Sequence, residues 1–559
     1  MVSSVKSVAV ALLVAVCGAA SERLRGARCA RRRAGCAARA RAGGDYASFL
    51  AVPYAKQPLA ALRFQELQPA EPWKGCRDAT KPGPICPQRD LFYGPTMRAS
   101  EMSEECIHAN VYMPLQYLPA ASEGAAPRNR TLLPVLVYIH GGGFGFGSGD
   151  PDLHGPEYLM GDNVVVITFN YRLGPFGFLS LNSSSVPGNA GLRDMVTLLR
   201  WVCRNARAFG GDPGDVTLAG QSAGAASAHI LSLSEAARGL FKRAILMSGT
   251  STRSFFSTSP AYAQYVAQLF LTNLGINGTD PEEVHRLLID TPIEKIIDAQ
   301  NDLQDVIGIT VFVPVVESAH PGVEIILDND PEILQSQGRG KDIPFLMGFT
   351  NAECQTFRPR FESIDIISRI AEQPVLVMPP PAIYVTPLDE LPNKIGQIVQ
   401  RYFNGTPNLN KFIKLCSESY FVYPTLKLAE MRAANGGAPV YLYRFTYEAD
   451  YSVFQEGLRL KYRGTGHSED LTLLFRANHV LGERAISPRD HKMVDAMTTY
   501  VTNFMLHSNP TKGVAGWPAV KREKLQYQNI ITPELVTTEV SRDLRDTMTF
   551  FDNIYSSSS

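Results

Sequence analysis

The sequence Gly220-Gln221-Ser222-Ala223-Gly224 follows the short apolar run Asp215–Ala219 and opens the segment Ala223–Ser232. A Gly-x-Ser-x-Gly pattern between a strand and a helix is typical of a nucleophile elbow, a tight turn that holds a serine hydroxyl out into a pocket. Glycine is needed on both sides of the serine because larger side chains would collide with the neighbouring strand and helix. The same pattern also occurs in ordinary turns, so the rest of the chain decides its meaning.

A run of glycines upstream supplies the second part of the pattern. Leu133–Ile139 has the composition of a buried strand, and it ends in His140-Gly141-Gly142-Gly143-Phe144. Ester hydrolysis passes through an intermediate with a negative oxygen, which preformed backbone N–H groups stabilise. We therefore expect an oxyanion hole formed by the N–H groups of Gly142, Gly143 and Ala223. The alternatives are a flexible loop and a phosphate-binding loop. A phosphate-binding loop would continue with Gly-Lys-Ser/Thr, whereas this chain continues with Phe-Gly-Phe-Gly.

A serine hydroxyl needs a base to become a nucleophile, and the base needs an acid that orients it. In this kind of sheet the acid and then the histidine follow the serine along the chain. The predicted base is His467, which lies in a glycine-flanked loop after the apolar strand Pro439–Tyr447. His140 and His229 precede every candidate acid and are expected to be structural.

The predicted acid is Glu353, because it follows the buried-strand pattern Ile343–Phe349 and would lie at the carboxyl edge of the sheet. Asp342 precedes the same strand and would lie at the opposite edge. Asp470 is three residues from His467, close enough in sequence for a local hydrogen bond, and is the main alternative acid.

Six short apolar runs indicate the fold class. Helical or irregular stretches separate them, which predicts an α/β fold with a mostly parallel central sheet and helices on both faces. The runs are Leu133–Ile139, Val164–Phe169, Val216–Ala219, Ala244–Met247, Ile343–Phe349 and Val440–Phe445.

Beyond these motifs, the chain resembles the type-B carboxylesterases, the family that includes the cholinesterases, from about Tyr46 to Phe551. The resemblance implies an α/β-hydrolase fold and a Ser-His-Glu acyl-enzyme mechanism at the matching positions Ser222, Glu353 and His467. The other matching segments are Phe49–Lys56, Leu62–Phe64, Pro69–Trp73, Ser103–Val111, His140–Phe144, Asn170–Phe178, Gly188–Leu192 with Asp194, and Phe209–Pro213.

The same resemblance implies two structural pairs. Cys86 and Cys106 match the family's first disulfide, and Arg63 and Glu104 match an ion pair that holds the entry loop. Four further cysteines have no evident partner and are expected to be buried free thiols: Cys76, Cys203, Cys354 and Cys416.

Within the family, three details resemble the insect juvenile hormone esterases, which hydrolyse the methyl ester of a long apolar hormone. They are Gln221 with Ala225, Ile107–Asn110 and Gly464–Asp470. The sequence therefore predicts a serine carboxylic-ester hydrolase acting on apolar esters such as the methyl ester of juvenile hormone. An apolar acyl pocket is expected at Phe144, Phe146, Phe255 and Phe256.

Two alternatives stay open for the function. One is a broad-specificity detoxifying or odorant-degrading carboxylesterase, and the other is a non-catalytic, esterase-like binding protein. Binding proteins of this family have lost the serine, the histidine or the glycine loop, and this chain keeps all three.

The amino terminus predicts secretion. Met1–Ala20 has a basic start, a nine-residue apolar core and small residues suited to cleavage, as in a signal peptide. Residues 21–44 carry eight arginines and seven alanines without apolar periodicity, and are expected to be disordered or atypical. Residues 45–555 are expected to form a single carboxylesterase domain, since no Pro/Ser-rich linker divides them.

Composition limits the partners. The chain has 54 basic and 54 acidic side chains, so its net charge predicts no nucleic-acid partner. No run beyond the signal peptide reaches the ~18 apolar residues of a membrane anchor, and no Cys/His spacing indicates a metal or cofactor. The expected partner is a small apolar ester, while the oligomeric state is not predicted. Glycosylation acceptor patterns begin at Asn129, Asn182, Asn277 and Asn404.

Overall fold

The computed structural model describes residues 38–41, 44–73, 77–96, 101–117, 131–252, 256–308, 310–512, 516–522, 524–534 and 536–555. The predicted signal peptide lies outside the described residues. So do Cys76, Asn129 and Phe255.

The described strands form one 11-stranded sheet in the order β1-β2-β3-β5-β4-β6-β7-β8-β9-β10-β11. All neighbours from β5 to β10 in this order are parallel, and the outer pairs are antiparallel. The strands are β1 (Ala38–Arg41), β2 (Gly44–Pro53), β3 (His108–Pro114), β4 (Leu133–Ile139), β5 (Val165–Phe169), β6 (Gly211–Gln221), β7 (Arg243–Met247), β8 (Phe345–Thr350), β9 (Val440–Phe445), β10 (Gln526–Ile530) and β11 (Thr537–Glu539). The predicted mostly parallel sheet is confirmed, and each of the six apolar runs corresponds to one of the strands β4 to β9.

Helices fill the connections between the strands. They are α1 (Gly174–Phe178), α2 (Ala190–Asn205), α3 (Ala223–Leu233), α4 (Pro260–Asn273), α5 (Pro281–Asp290), α6 (Ile293–Ile307), α7 (Pro331–Ser336), α8 (Arg358–Ser363), α9 (Ile366–Glu372), α10 (Pro380–Val385), α11 (Leu391–Phe403), α12 (Leu409–Ser417), α13 (Tyr423–Asn435), α14 (Val453–Gly457), α15 (Asn478–Leu481), α16 (Pro488–His507) and α17 (Arg542–Tyr555). Among the described helices, none is long and apolar enough to cross a membrane.

Strand β4 shows why the central strands have unbroken apolar sequences. Val135, Val137 and Ile139 pack in one core together with α2 and α3. Leu136 and Tyr138 pack in a second core, which contains α16, on the other side of the sheet. Because successive side chains of a strand point to opposite faces, both faces of the sheet are covered by helices, as predicted.

The first strand corrects one expectation. Ala38–Arg41 belongs to the Arg/Ala-rich segment, yet it forms β1 and pairs antiparallel with β2. The expectation of a disordered or atypical segment is therefore wrong for these residues. Backbone hydrogen bonds to a neighbouring strand hold an edge strand, so it needs no apolar periodicity of its own.

The disulfides correct a second expectation. Cys86 pairs with Cys106, as the family resemblance implies. Cys354 pairs with Cys416 across 62 residues, so the expectation of free thiols is wrong for these two. Sequence alone gives no rule for pairing distant cysteines, and only the fold brings these two side chains together. Cys203 is unpaired.

The implied ion pair between Arg63 and Glu104 is present and is buried. Arg63 donates from Nε to Glu104 Oε1 (2.8 Å) and from Nη2 to Glu104 Oε2 (2.6 Å). Its Nη1 also donates to the carbonyl oxygens of Leu288, Ile289 and Thr291, at the end of α5. This pair therefore ties the loop after β2 to a helix that lies far along the chain.

Candidate active site

Ser222 lies in the turn between β6 and α3, with φ 57° and ψ −123°. Its N–H donates to the carbonyl of Met247, the last residue of β7 (2.7 Å). A Cβ at Gly224 would lie 2.1 Å from the carbonyl oxygen of Ile139, so only glycine fits beside the turn. The turn places the serine in a strained conformation that the neighbouring strands enforce.

The structure brings His467 and Glu353 together. His467 Nδ1 donates to Glu353 Oε2 at 2.5 Å, and the His467 N–H donates to the Glu353 carbonyl at 3.1 Å. Both side chains are buried. When Nδ1 carries the proton that the carboxylate accepts, the lone pair of the neutral ring is on the other nitrogen, Nε2.

The Glu353 carboxylate is itself held by two donors. Its Oε1 accepts from the hydroxyl of Ser248 (2.7 Å) and from the N–H of Thr350 (2.7 Å). Ser248 follows β7 and Thr350 ends β8, so two neighbouring strands position the acid. The Cys354–Cys416 disulfide lies next to it in sequence and anchors the same turn to α12.

The alternative acid, Asp470, is hydrogen-bonded to groups other than the imidazole. Its Oδ2 accepts from the hydroxyl of Tyr443 (2.8 Å), and its Oδ1 accepts from the N–H of Leu471 (2.9 Å). Burial raises the pKa of Asp470 to about 7, and the negative charge of Glu353 adds to the rise. The geometry therefore favours Glu353 as the partner of His467.

His140 and His229 have local partners, in agreement with their expected structural role. His140 Nδ1 lies 2.8 Å from the Gly141 carbonyl, and its ring stacks on Tyr171. His229 Nδ1 lies 2.7 Å from the Ser251 hydroxyl. Burial lowers the pKa of His140 to about 4 and that of His229 to about 3, so both rings are neutral at neutral pH.

The glycine loop after β4 lines the same cavity as Ser222. Gly142 has φ 109° and Gly143 has φ 57°, conformations that favour glycine. A Cβ at Gly142 would lie 1.9 Å from the Phe146 carbonyl oxygen. Ala223, the third predicted oxyanion donor, is the first residue of α3, where helix N–H groups are free of intrahelical partners.

A narrow apolar cavity of about 120 Å³ leads to Ser222 and His467. Two of the predicted pocket residues, Phe146 and Phe256, line it. Phe144 does not, because its ring packs 4.9 Å from that of Phe178, behind the cavity wall. The cavity is also lined by apolar and aromatic side chains that sequence reasoning missed: Phe92, Tyr93, Val306, Ile307, Phe357, Phe361, Ile364, Ile366, Leu376, Met378, Phe412, Tyr420 and Phe421.

Three of these missed residues surround the His467 ring. Ring centroids of Phe421, Phe357 and Phe92 lie 4.6, 5.2 and 6.3 Å from that of the imidazole. The rings come from distant segments, and nothing in their local sequence distinguishes them among 27 phenylalanines. They exclude water from the base, which strengthens its bond to Glu353.

The model of the carboxylesterase family matches residues 34–548. Juvenile hormone esterase of Heliothis virescens is 52% identical over 523 residues, 92% of this chain and 92% of that protein. The crystal structure of juvenile hormone esterase from Manduca sexta, with OTFP covalently attached, is similar with a TM-score of 0.88 and 54% identity, covering 91% of this chain and 95% of that chain. The structure of a thermophilic PNB esterase is similar with a TM-score of 0.71 and 26% identity, covering 92% of this chain and 98% of that chain.

Proposed function

Because this chain belongs to the carboxylesterase family and is a serine carboxylic-ester hydrolase, we propose that Ser222, His467 and Glu353 are its nucleophile, base and acid. One observation carries the proposal. The His467 ring is bonded to Glu353 through Nδ1, and His467 and Ser222 line the same cavity.

The proposed reaction has two acyl-transfer steps. The Ser222 oxygen bonds to the ester carbonyl carbon while its proton moves to His467 Nε2. Glu353 holds the ring in the correct tautomer and stabilises the imidazolium. The carbon–oxygen bond to the alcohol then breaks, and the alcohol takes the proton from Nε2. Water repeats the sequence on the acyl-enzyme, releasing the acid and restoring the serine.

The negative oxygen of each tetrahedral intermediate is assigned to the N–H groups of Gly142, Gly143 and Ala223. Such donors act strongly in a dry cavity because they need no reorientation during the reaction. The glycine loop supports this role, since Gly142 and Gly143 line the same cavity as Ser222.

The proposed substrate is a long, neutral, apolar ester such as the methyl ester of juvenile hormone. The relatives that bear this hormone's name support the proposal, and so does the cavity wall. Among the described residues that line the cavity there is no aspartate or glutamate. Its two arginines, Arg360 and Arg369, are bonded to the side chain and carbonyl of Asp305.

The test compares methyl esters of straight-chain acids of increasing length. Each methylene group that the cavity buries contributes about 0.8 kcal/mol, so kcat/KM is expected to rise about fourfold per methylene until the cavity is filled. A broad detoxifying esterase would give similar values for short and long esters. The control is Ser222→Ala, which is expected to lose roughly a millionfold in kcat. Turnover by this variant would overturn the assigned nucleophile.

We also propose that the protein is secreted and glycosylated. The predicted signal peptide and the two disulfides support secretion, since disulfides persist in oxidising compartments. Asn277 and Asn404 are exposed and Asn182 is half-buried. Mass spectrometry of the protein from insect-cell medium, before and after glycosidase treatment, tests both points. Protein retained in the cells without glycans would contradict them.

A further inference from the structure

Gln221, the residue before Ser222, is hydrogen-bonded to the ring nitrogen that the proposed reaction uses. Its side-chain Nε2 lies 2.9 Å from His467 Nε2. Gln221 is 1% exposed, so water does not compete for this contact. Among the hydrogen bonds of the described residues, the partner of His467 Nε2 is this amide and not the Ser222 hydroxyl.

The direction of this hydrogen bond follows from the other side of the ring. Glu353 accepts the Nδ1 proton, so Nε2 carries a lone pair and needs a donor. Only the NH₂ group of the amide supplies one. The amide oxygen then points toward Gly141, where an alanine Cβ would lie 2.5 Å from it, and it has no hydrogen-bond partner among the described residues.

We propose that Gln221 is a positioning residue that orients the His467 ring in the free enzyme by donating to Nε2, and that the Ser222 hydroxyl replaces it there when an ester binds. This inference rests on the roles proposed above for Ser222 and His467. Hydrogen bonds of the catalytic groups are often made only in the substrate complex, so a different partner in the free enzyme is compatible with catalysis.

The chemistry of an amide differs from that of a carboxylate at this place. An amide NH₂ donates to a neutral imidazole and gives the imidazolium no compensating charge. A carboxylate would accept from Nε2–H and favour the imidazolium, which has no lone pair to take the serine proton. Gln221 thus keeps the base available at lower pH than a glutamate would.

Other charged and titratable groups near the His467 ring also influence its protonation. Glu353 contacts Nδ1, while Asp470 and Glu469 lie in the same loop. Tyr443 from β9 is bonded to Asp470, and Tyr462 to Glu469. Phe92, Phe357 and Phe421 also pack against the ring and carry no charge. None of these groups changes in the variants below, so a shift between variants reports on position 221.

The experiment measures kcat/KM for a short p-nitrophenyl ester against pH in the wild type, Gln221→Met and Gln221→Glu. On the acidic side of the profile kcat/KM falls, and we call this fall the acidic limb. We expect its midpoint to lie at the lowest pH in the wild type. Gln221→Met, which loses the donor, should raise it by roughly half a unit. Gln221→Glu should raise it by about one to three units. A merely structural role would lower the plateau and leave the limb in place.

The expected order of the acidic limbs, from low to high pH, is wild type, Gln221→Met and Gln221→Glu. Any other order overturns the proposal. Gln337→Glu, the same change at an exposed position, is the matched control and should leave the limb unchanged. If a variant at position 221 fails to fold, ¹⁵N-histidine spectra of the wild-type enzyme decide the question. A protonated Nε2 on His467 at neutral pH, assigned with His467→Ala, would overturn the inference.

The proposed function and the role of Gln221 can be contradicted independently. The proposed function fails if the wild-type enzyme does not hydrolyse the ester, or if Ser222→Ala does. When hydrolysis depends on Ser222 but the limbs do not follow the expected order, only the role of Gln221 is wrong.

Discussion

The replacement Glu353→Gln tests how the acid controls the tautomer of the base. Oε1 of Glu353 accepts from Ser248 Oγ and from Thr350 N–H, both at 2.7 Å. In the glutamine variant the amide oxygen must keep this place, because a backbone N–H cannot face an NH₂ group. The NH₂ group then faces Nδ1 of His467 and donates to it. The ring proton moves to Nε2, where no lone pair remains for the proton of Ser222.

The expected loss is large although the shape of the site is unchanged. The same carboxylate-to-amide change in a serine protease triad lowers kcat by about 10⁴, or about 5.5 kcal/mol of transition-state stabilisation. The assay is kcat for a p-nitrophenyl ester at the plateau of the pH profile, with the melting temperature recorded in parallel.

Ser248→Ala is the matched control for this variant. It removes one hydrogen bond to Oε1 but leaves the Glu353 side chain bonded to Nδ1. One hydrogen bond contributes about 0.5–1.5 kcal/mol, so the expected loss in kcat is at most about tenfold. If Glu353→Gln keeps kcat within tenfold of the wild type at an unchanged melting temperature, the tautomer argument is refuted.

Three further predictions concern the oxyanion loop, the second disulfide and the buried aspartate. Gly142→Ala should lower kcat by roughly 10²–10³, since its Cβ would lie 1.9 Å from a carbonyl oxygen and displace one N–H donor; steady-state kinetics with less than tenfold loss would contradict this. The double change of Cys354 and Cys416 to serine opens a loop of 62 residues and should cost roughly 4 kcal/mol in the free energy of unfolding, measured by denaturant titration against Cys203→Ser, whose thiol is unpaired. Asp470 has a pKa raised to about 7 in the fold, so the folded state holds a proton that the unfolded state has lost, and stability falls as pH rises between about 4 and 7. Asp470→Asn should remove this fall of about 1.4 kcal/mol per pH unit, and parallel pH dependences of unfolding for variant and wild type would exclude it.

The sheet and the three predicted side chains could be read from the sequence because each depends on a short local pattern. The strands β4 to β9 are buried on both faces, so they appear as unbroken apolar runs. Ser222 and the glycine loop need glycines at fixed spacings, which are rare enough to stand out. Glu353 and His467 followed from chain order and from their places after a strand, and the structure brings these two together.

The cavity wall could not be read in the same way, because its residues are defined by long-range packing. Phe421 lies in the segment between α12 and α13, where the Cys354–Cys416 disulfide ties the end of α12 to the turn after Glu353, and its ring packs against that of His467. Phe144 is the opposite case, a residue that was predicted to line the cavity but does not. It stands next to the glycine loop in sequence, but its ring packs into the core behind the cavity.

The topology explains why residues so far apart in sequence meet. β4, β6, β7, β8 and β9 are consecutive parallel neighbours, so their carboxyl ends lie along one edge of the sheet. The edge presents, in order, the glycine loop, Ser222, Ser248, Glu353 and the loop that carries His467. Neighbouring strands are about 4.8 Å apart, so Ser222 and Glu353, two strands apart, are separated by about 10 Å. The His467 ring is bonded to Glu353 through Nδ1, and Ser248, which follows the strand between β6 and β8, holds the carboxylate. Inserting another strand between β6 and β8 would move Ser222 about 5 Å further from the acid and its histidine, so the proposed proton transfer depends on the order of the strands as much as on the identity of the residues.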